Sequence, residues 1–453
     1  MQTKSKDRIK KYGEVYTNHR EICNMLDLIG NDTYDINTSF LEPACGTGNF
    51  LVEILRRKLI SCNSNKDIEI ACSNIVGIDI LKDNIDTCYN RMLSLCKLKT
   101  SNTKKIEKIL KQNLLLQDGL EKMEYYKKHN IHFDVIIGNP PYQIMDKGYG
   151  ASAKPYYHKF VNQAISMNPL YMSMIIPTRW TLGGKGLDDF RTKMLEDKHI
   201  SHFVDFINSK ECFPNVDIKG GVCYFLWNKN HKGKTNILVY ENNELISNTT
   251  RYLKNNITKS YIRYGELIPI LYKISMFKEP SFSTIVSERK PYGLETNYKN
   301  DTPKKTKAND LLLYRYGKIT YISKDKIVKN KQSINKYKIF CAEAIGIGNI
   351  RKDKIKPFIA KPYEVCTETY LQIGSYNDEQ TAKNVLSYMN TNFFRLLLGL
   401  NKISQHTTRK VYSLIPMQDF SHSWTDQMLY EKYKFTKEEI NYINNLLYTN
   451  NKF

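Results

Sequence analysis

The sequence predicts an α/β fold: a mostly parallel sheet, covered by helices on both faces, followed by a second, mixed α+β region. Between residues 36 and 229, short β-rich runs alternate with longer helical stretches, a pattern typical of parallel strands joined by crossover helices. Two of these runs, DVIIG at 134–138 and MSMIIP at 172–177, are nearly all apolar. Strands that are buried on both faces have this composition.

The individual elements follow in chain order. Strands are predicted at 38–41, 74–80, 133–137, 171–176, 202–207 and 221–227, and a further short strand lies within the run at 113–119. Helices are predicted at 19–29, 49–61, 82–98, 156–167 and 186–196. The sheet therefore has seven predicted strands, and the last two form an antiparallel hairpin that closes it.

A chain of 453 residues and 53.0 kDa exceeds what one hydrophobic core usually organises, so several domains are expected. Residues 1–35 are predicted to form a helical segment that packs on the first domain, which covers 36–229. Residues 230–453 form the second domain, with a charged loop at 298–310 and helices at 378–390, 393–400 and 437–448.

Charge indicates a partner. The chain has 68 Lys and Arg against 46 Asp and Glu, a net charge of +22. Residues 230–453 hold 36 basic and 20 acidic side chains, whereas residues 1–229 hold 32 and 26. A surplus of this size favours a polyanion as partner of the second domain, although a generally Lys- and Asn-rich composition is an alternative explanation.

The N-terminal residues are charged throughout, and no apolar run approaches the roughly 20 residues of a membrane span. We therefore expect an intracellular, cytoplasmic protein with no membrane contact. The ten cysteines form no close C-x-x-C pair, which predicts reduced thiols and no metal site.

The first local signal is the run FLEPACGTGNF at 40–50, in which a strand enters a turn with Gly46 and Gly48 and a helix begins. Glycines allow the backbone of such a turn to approach a ligand closely. The run lacks the third glycine of a dinucleotide fingerprint and the Gly-Lys-Ser/Thr ending of a phosphate loop. Glu42 ahead of the turn favours a cationic ligand over a pyrophosphate.

Two aspartates follow predicted strands at the same edge of the sheet. Asp79 ends the run GID and can accept both hydroxyls of a ribose. Asp118 follows a short strand and can accept a hydrogen bond from the amine of an adenine. Taken singly, either residue is more typical of a helix cap or a solvated loop, but their order and spacing, both at strand ends on one edge, favour a role in binding.

The run DVIIGNPPYQ places Asn139, Pro140, Pro141 and Tyr142 directly after a buried strand. Two prolines remove two N–H donors, which leaves the Asn139 amide oxygen and the Pro140 carbonyl as acceptors. These two oxygens can hold an –NH2 group, while Tyr142 offers an aromatic face to the ring that carries it.

The runs at 41–50 and 139–142, in this order, resemble the amino-group DNA methyltransferases of the γ class, which use S-adenosylmethionine. A tetrapeptide that begins with Asn resembles that of the adenine-N6 enzymes. The run KYGEVYT at 11–17 resembles the N-terminal cofactor segment of that family, with Asn18 in place of its proline. The resemblance covers residues 11–228 and implies a Rossmann-like methyltransferase domain.

The resemblance also implies roles for individual residues. Thr17, Glu42 and Ala44 would lie near the methionine moiety of the cofactor, with Gly46 and Gly48 in its turn. Asp79 would bind its ribose and Asp118 its adenine amine. Asn139, Pro140 and Tyr142 would bind the target adenine after it leaves the duplex, and Phe213 would stack opposite Tyr142. From the residues alone, Phe213 is as typical of a core position at a hairpin tip.

Residues 230–453 are then expected to be a DNA target-recognition domain, and the candidates for phosphate contacts are Lys304, Lys305, Lys307, Arg409 and Lys410. A run of charge can equally be a solvated face. The segment at 147–154, rich in Gly, Ser and Lys, is expected to close over DNA or to be a plain loop.

The resulting hypothesis is site-specific adenine-N6 methylation of double-stranded DNA by a monomer, with a separate restriction endonuclease as a compatible partner. An RNA or protein-glutamine methyltransferase is the alternative, since N-P-P-Y also occurs in such enzymes. A DNA-binding subunit with a decayed site is disfavoured by the intact tetrapeptide and glycine turn. A fused nuclease is not expected, because no nuclease motif follows and only ten residues precede Lys11.

Overall fold

The computed structural model describes residues 8, 15–144, 154–216, 218–258, 261–346, 348–402 and 405–448. The chain divides into two compact units, Met1–Gly265 and Glu266–Phe453. The first unit therefore extends well beyond residue 229, where the sequence placed the end of the first domain.

A nine-stranded, mainly parallel sheet forms the centre of the first unit. Its strands are β1 (Phe40–Glu42), β2 (Ile75–Asp79), β3 (Leu114–Leu116), β4 (Val135–Gly138), β7 (Tyr171–Pro177), β8 (Ile200–Phe206), β9 (Val222–Asn228), β10 (Thr235–Glu241) and β11 (Glu244–Arg251), while β5 (Gln143–Ile144) and β6 (Lys154–Pro155) form a separate two-residue ladder. The order across the sheet is β11-β10-β8-β9-β7-β4-β1-β2-β3. The five strands from β7 to β3 are all parallel, and β9 is antiparallel to both of its neighbours.

Helices cover both faces of this sheet. They are α1 (His19–Ile29), α2 (Asn49–Lys58), α3 (Asn65–Ser73), α4 (Lys82–Lys97), α5 (Lys104–Asn113), α6 (Gly119–Lys128), α7 (Tyr157–Ser166) and α8 (Asp188–Glu196). Successive strand residues face opposite sides, so Phe40 and Ile137 join a core with α1 to α5, whereas Leu41 and Ile136 join a second core with α6 to α8. The apolar runs of the sequence are therefore buried from two directions, as predicted.

Two features of the sheet differ from the prediction. It has nine strands rather than seven, and the hairpin of β8 and β9 does not close it, because β10 pairs in parallel with β8 and β11 forms the edge. The residues of β10 alternate between buried and half-buried positions, with Ile237 and Val239 in the core. This two-residue alternation of buried positions was not recognised in the sequence, because β10 lies in a stretch rich in Lys and Asn.

A buried lysine fixes the entry to the first strand. The Lys58 ammonium at the end of α2 is fully buried and donates to the carbonyls of Asp35 at 2.7 Å, Ile36 at 3.2 Å and Thr38 at 2.6 Å. Burial lowers the pKa of Lys58 to about 8. These bonds tie the loop before β1 to the helix that follows the glycine turn, so both ends of the turn have a fixed position.

The second unit contains two three-stranded sheets and a set of helices. The strands are β12 (Leu311–Arg315), β13 (Lys318–Ile322), β14 (Tyr337–Ala342), β15 (Phe358–Ala360), β16 (Glu364–Cys366) and β17 (Tyr370–Tyr376), and the helices are α9 (Ile268–Ser275), α10 (Glu379–Met389), α11 (Asn392–Asn401), α12 (Asp426–Lys432) and α13 (Lys437–Tyr448). The sheets have the orders β13-β12-β16 and β15-β14-β17. One apolar core, which includes Leu311, Phe340 and Val365, joins them.

All ten cysteines are free thiols. In the part of the chain that the structure describes, the helices are too short or too polar to cross a bilayer.

Candidate active site

A concave pocket lies where the strands of the first unit end. Its empty space, including the open mouth, is about 830 Å³. Glu42 and Asp79 are the last residues of β1 and β2. Asp118 and Asn139 follow shortly after β3 and β4. The carboxyl ends of parallel strands meet at one edge, so residues that are far apart in sequence line a single pocket.

Seven of the predicted site residues line this pocket: Thr17, Glu42, Ala44, Gly46, Asp79, Asp118 and Asn139. Pro141 lines it as well. The remaining predicted residues of the first unit, namely Gly48, Pro140, Tyr142 and Phe213, lie outside the lining.

The glycine turn is held by side chains from two other elements. The N–H of Gly46 donates to Asp79 Oδ2 at 2.9 Å, and Arg91 Nη1 donates to the Thr47 carbonyl at 2.6 Å. Gly48 has a φ of 79° and caps α2, and a Cβ there would lie 2.3 Å from Cys88 Sγ. Gly48 therefore shapes the turn without lining the pocket, and both glycines are required by the backbone.

Glu42 has an unpaired buried oxygen. Its side chain is 2% exposed, and its Oε2 has no hydrogen-bond partner. Burial raises the pKa of the Glu42 carboxyl well above its usual value, and the nearby groups Cys88 and Asp79 add to the rise. A buried acceptor without a donor costs about 1–3 kcal/mol, so the position suits a ligand that brings a cationic donor into the pocket.

The two aspartates already carry structural bonds. Asp79 Oδ1 accepts from the N–H of Leu81 at 2.8 Å and from Asn84 Nδ2 at 3.3 Å. Asp118 Oδ1 accepts from Leu120 N at 2.8 Å and from Glu121 N at 3.1 Å, and thereby caps α6. Asp118 is therefore a helix cap, one of the two interpretations of the sequence, and it lines the pocket at the same time.

The amide of Asn139 has a fixed orientation. Its Nδ2 donates to the carbonyl of Val15 at 2.9 Å, which turns the amide oxygen away from Val15 and leaves it as an acceptor. Pro140 is buried and Asn139 is half-buried. The N-terminal segment thus acts on the tetrapeptide directly, a contact that the sequence did not reveal.

Tyr142 and Phe213 meet, but not as two parallel plates. Phe213 is fully buried, and its ring lies 6.3 Å from that of Tyr142 at an interplanar angle of 76°. A base cannot stack between rings in this arrangement, so the predicted sandwich requires one ring to turn. The Tyr142 hydroxyl is buried without a partner, and burial raises the pKa of this phenol well above its usual value.

Further pocket residues include Ile80, Tyr156 and Phe160, which the sequence did not single out as site residues. Ile80 is 52% exposed directly after Asp79, and an apolar residue in that place is the signal that could have identified it. Tyr156 and Phe160 are one helical turn apart, with ring centroids 5.7 Å from each other. The backbone also closes tightly at this wall, since a Cβ on Gly119 would lie 1.9 Å from the Pro43 carbonyl oxygen.

In the second unit, Lys304, Lys305, Lys307 and Lys410 are exposed. Arg409 is also exposed, but its Nε donates to the Ser283 carbonyl at 2.9 Å and its Nη1 pairs with Glu288 at 2.9 Å. Arg409 is therefore engaged within the unit. The predicted loop at 147–154 lies outside the described residues except for Lys154, which is in β6.

Outside the pocket, His19, Cys23 and Glu53 place potential metal-ligand atoms within 4.8 Å of one another. Glu53 accepts from Arg56 at 2.6 Å and from Arg57 at 2.9 Å. Burial opposes ionisation, but these hydrogen bonds lower the pKa of Glu53 to about 2. The arginines supply the positive charge that this carboxylate needs, so the cluster is explained as an ion-pair network.

The pocket is thus lined by the glycine turn after β1, by carboxylates at or just after the ends of β2 and β3, and by aromatic side chains. Residues 73–213 match the model of the Eco57I restriction-modification methylase family. These residues include the carboxylates that follow β2 and β3 and the tetrapeptide.

Two curated relatives are similar over part of their length. A Mycoplasma pneumoniae protein named "Uncharacterized adenine-specific methylase" is 42% identical over 121 residues, which cover 25% of this chain and 29% of that protein. The "Type II restriction enzyme and methyltransferase RM.Eco57I" of Escherichia coli is 25% identical over 291 residues, covering 51% of this chain and 28% of that protein. The matches thus span less than a third of either relative.

Among solved structures, the Type IIL restriction-modification enzyme MmeI in complex with DNA superimposes with a TM-score of 0.53 and 12% identity, over 90% of this chain and 68% of that one. This similarity shows the fold. Together, the comparisons confirm the resemblance to restriction-modification adenine methylases that the two sequence motifs predicted.

Proposed function

We propose that this chain transfers a methyl group from S-adenosylmethionine to N6 of an adenine in double-stranded DNA. The observation that carries the proposal is the convergence of Glu42, Asp79 and Asp118 on one pocket with the fixed amide of Asn139. The relative named as an adenine-specific methylase and the DNA complex of MmeI support the substrate class.

The pocket fits such a cofactor. The unpaired Oε2 of Glu42 is suited to the ammonium of a methionine moiety, with Thr17 and Ala44 beside it. Asp79 is placed for ribose hydroxyls, and Asp118 for an adenine amine. Ile80 and Phe160 offer apolar surface to a purine. When bound, S-adenosylmethionine supplies a methyl group that is already activated on a sulfonium.

The chain itself positions the amine. The Asn139 oxygen and the Pro140 carbonyl accept the two N–H bonds of N6, so the nitrogen lone pair is directed towards the pocket. Such orientation can contribute several kcal/mol to catalysis. N6 is inaccessible inside a duplex, so the base must be extruded, at an expense of about a few kcal/mol. Tyr142 offsets part of this free-energy cost by packing on the ring of the extruded adenine.

The second unit supplies DNA binding, and the chain acts as a monomer on its site, with a separate restriction endonuclease as a compatible partner. Light scattering of the full chain with a short duplex tests the stoichiometry, and a mass of one chain per duplex is expected.

The test of the function is transfer of a labelled methyl group from S-adenosylmethionine to genomic DNA, followed by sequencing of the modified bases. Asn139→Ala is expected to reduce transfer at least a thousandfold while cofactor affinity, measured by calorimetry, stays within a few-fold of wild type. Asn102→Ala, an exposed position in the same unit, serves as the matched control.

Appreciable transfer by Asn139→Ala would contradict the role of this amide. Label that appears only in RNA or in protein would exclude DNA as the substrate.

A further inference from the structure

The positive charge of the second unit is concentrated in one segment. Residues 299–361 hold 17 Lys and Arg against 5 Asp and Glu, a net charge of +12. The rest of the unit, 266–298 and 362–453, holds 13 basic and 13 acidic residues and is neutral. A generally lysine-rich composition would spread the surplus over the whole unit, so this distribution favours a polyanion-binding role for this segment, although Lys338 within it is buried and bonded to backbone carbonyls.

The segment contains a hairpin with an exposed apolar tip. β12 and β13 pair over five residues, from Leu311–Ile322 at the base to Arg315–Lys318 at the tip. The turn between them is Tyr316 and Gly317, and Gly317 has a φ of 63°. Tyr316 is 81% exposed and Ile319 is 57% exposed. Large apolar side chains exposed within a basic surface are typical of an interaction site.

The strand β12 of the hairpin packs against the rest of the unit along its length. Tyr314 in β12 lies 5.0 Å from Phe358 and 6.4 Å from Tyr370, ring centroid to centroid. Leu311 and Leu313 on the other face of β12 are fully buried in the core of the unit. The packing of β12 therefore fixes the position of the hairpin tip, Tyr316 and Gly317.

A loop with three exposed lysines lies against this hairpin. Thr302 pairs with Tyr321 of β13, with N···O distances of 2.9 and 2.8 Å in the two directions. Asp310 Oδ2 then accepts from the N–H of Thr306 at 2.9 Å and of Lys307 at 2.8 Å, which fixes the loop 303–309. Lys304, Lys305 and Lys307 all point into solvent.

We propose that the hairpin of β12 and β13 enters a groove of double-stranded DNA, with Tyr316 and Lys318 at the base edges and the lysines of loop 303–309 on the phosphates. The major groove is about 12 Å wide and admits a two-stranded ribbon. This inference rests on the proposed function, and it assigns target reading to one element of the second unit.

The lysine loop is tested by binding of the full chain to a fluorescent 30-base-pair duplex over a series of salt concentrations. The triple variant Lys304→Gln, Lys305→Gln, Lys307→Gln is expected to weaken binding at least tenfold and to reduce the salt slope by about 2–3, one per lost phosphate contact. The control triple Lys278→Gln, Lys434→Gln, Lys437→Gln removes the same charge from exposed positions in the neutral part of the unit. It is expected to leave the slope unchanged.

The tip is tested by Tyr316→Ala against Tyr272→Ala, a tyrosine that is 59% exposed in the neutral part. The probes are a duplex that contains the methylated site, found by sequencing, and a scrambled duplex. Tyr316→Ala is expected to reduce the preference for the site at least tenfold, with the salt slope intact, whereas Tyr272→Ala retains the preference.

Equal weakening by the two triple variants, or undiminished site preference in Tyr316→Ala, would overturn the proposal. These outcomes are distinct from failure of the proposed function. If no methyl group reaches DNA, the proposed function fails, and the comparison of the two triples on a random duplex still decides whether the loop is the binding surface.

Discussion

Glu42 is the residue whose chemistry depends most on what fills the pocket. Its buried carboxyl has a raised pKa, so in the free protein it retains its proton at a pH where an exposed carboxyl would be ionised. A cationic ligand favours the ionised form. We therefore expect binding of S-adenosylmethionine to release a proton, and to strengthen as the pH rises, at pH values between the usual pKa of a carboxyl and the raised pKa of Glu42. Calorimetry in two buffers of different ionisation enthalpy measures the release.

Glu42→Gln is expected to lose this proton release and to bind the cofactor at least tenfold more weakly. The exposed control Glu124→Gln leaves both unchanged. The same substitution should stabilise the ligand-free protein at pH values above the usual pKa of a carboxyl. A carboxyl whose folded pKa is raised contributes stability below its unfolded pKa and loses it as the pH rises, and glutamine does not titrate. Proton release that is identical in wild type and Glu42→Gln would contradict this account.

The orientation of the Tyr142 ring could not be predicted from residue types. The tetrapeptide correctly indicated an aromatic ring beside Asn139, but the ring contacts both cores of the unit. Its edge-on contact with the buried Phe213 depends on how the segment after β8 folds back, which involves residues more than 60 positions away. No local pattern encodes such an angle, and so the sequence predicted the pair but not its arrangement.

At the scale of elements, the glycine turn and the start of α6 approach so closely that no side chain fits between them at Gly119. The added Cβ of Gly119→Ala would lie 1.9 Å from the Pro43 carbonyl oxygen, a backbone atom that can move only with the turn. We expect this variant to lose about 1–3 kcal/mol of stability and to weaken cofactor binding, as measured by thermal unfolding and calorimetry. The exposed neighbour Gln117→Ala is the control, and a stability of Gly119→Ala equal to that of the control would contradict the contact.

Most elements of the first unit were predictable, because apolar periodicity and glycine turns are local signals. The sequence predicted the ends of α2, α4 and α7 to within one to three residues. It missed the helices α3, α5 and α6, and of these Asn65–Ser73 and Lys104–Asn113 bury only three and two residues respectively.

The pocket was predictable for a different reason. The carboxyl ends of parallel strands converge, so the order of the motifs determines which side chains meet. Tyr156 and Phe160 lie at the start of α7 and not at a strand end, so this argument does not identify them.

At the scale of the whole molecule, the first unit needs its last hairpin. β10 pairs with β8 over five residues, and Ile237, Val239 and Tyr261 belong to the core. A fragment of residues 1–265 is therefore expected to fold and to bind the cofactor. A fragment of residues 1–229 exposes the edge of β8 and should aggregate or unfold at a lower temperature. Thermal unfolding followed by circular dichroism measures the difference in stability between the two fragments. Equal melting temperatures would place the end of the first domain at residue 229.

The uneven charge of the second unit has a kinetic consequence. A net charge of +12 lies within 63 residues of a unit that is otherwise neutral. The electrostatic field of a nucleic acid can orient this unit before the two molecules come into contact. A larger share of encounters then leads to binding, and association can be accelerated about 10- to 1,000-fold at low ionic strength. Added salt should then lower the association rate constant far more than it raises the dissociation rate constant. One-dimensional diffusion along the nucleic acid would begin with the hairpin already facing the polymer.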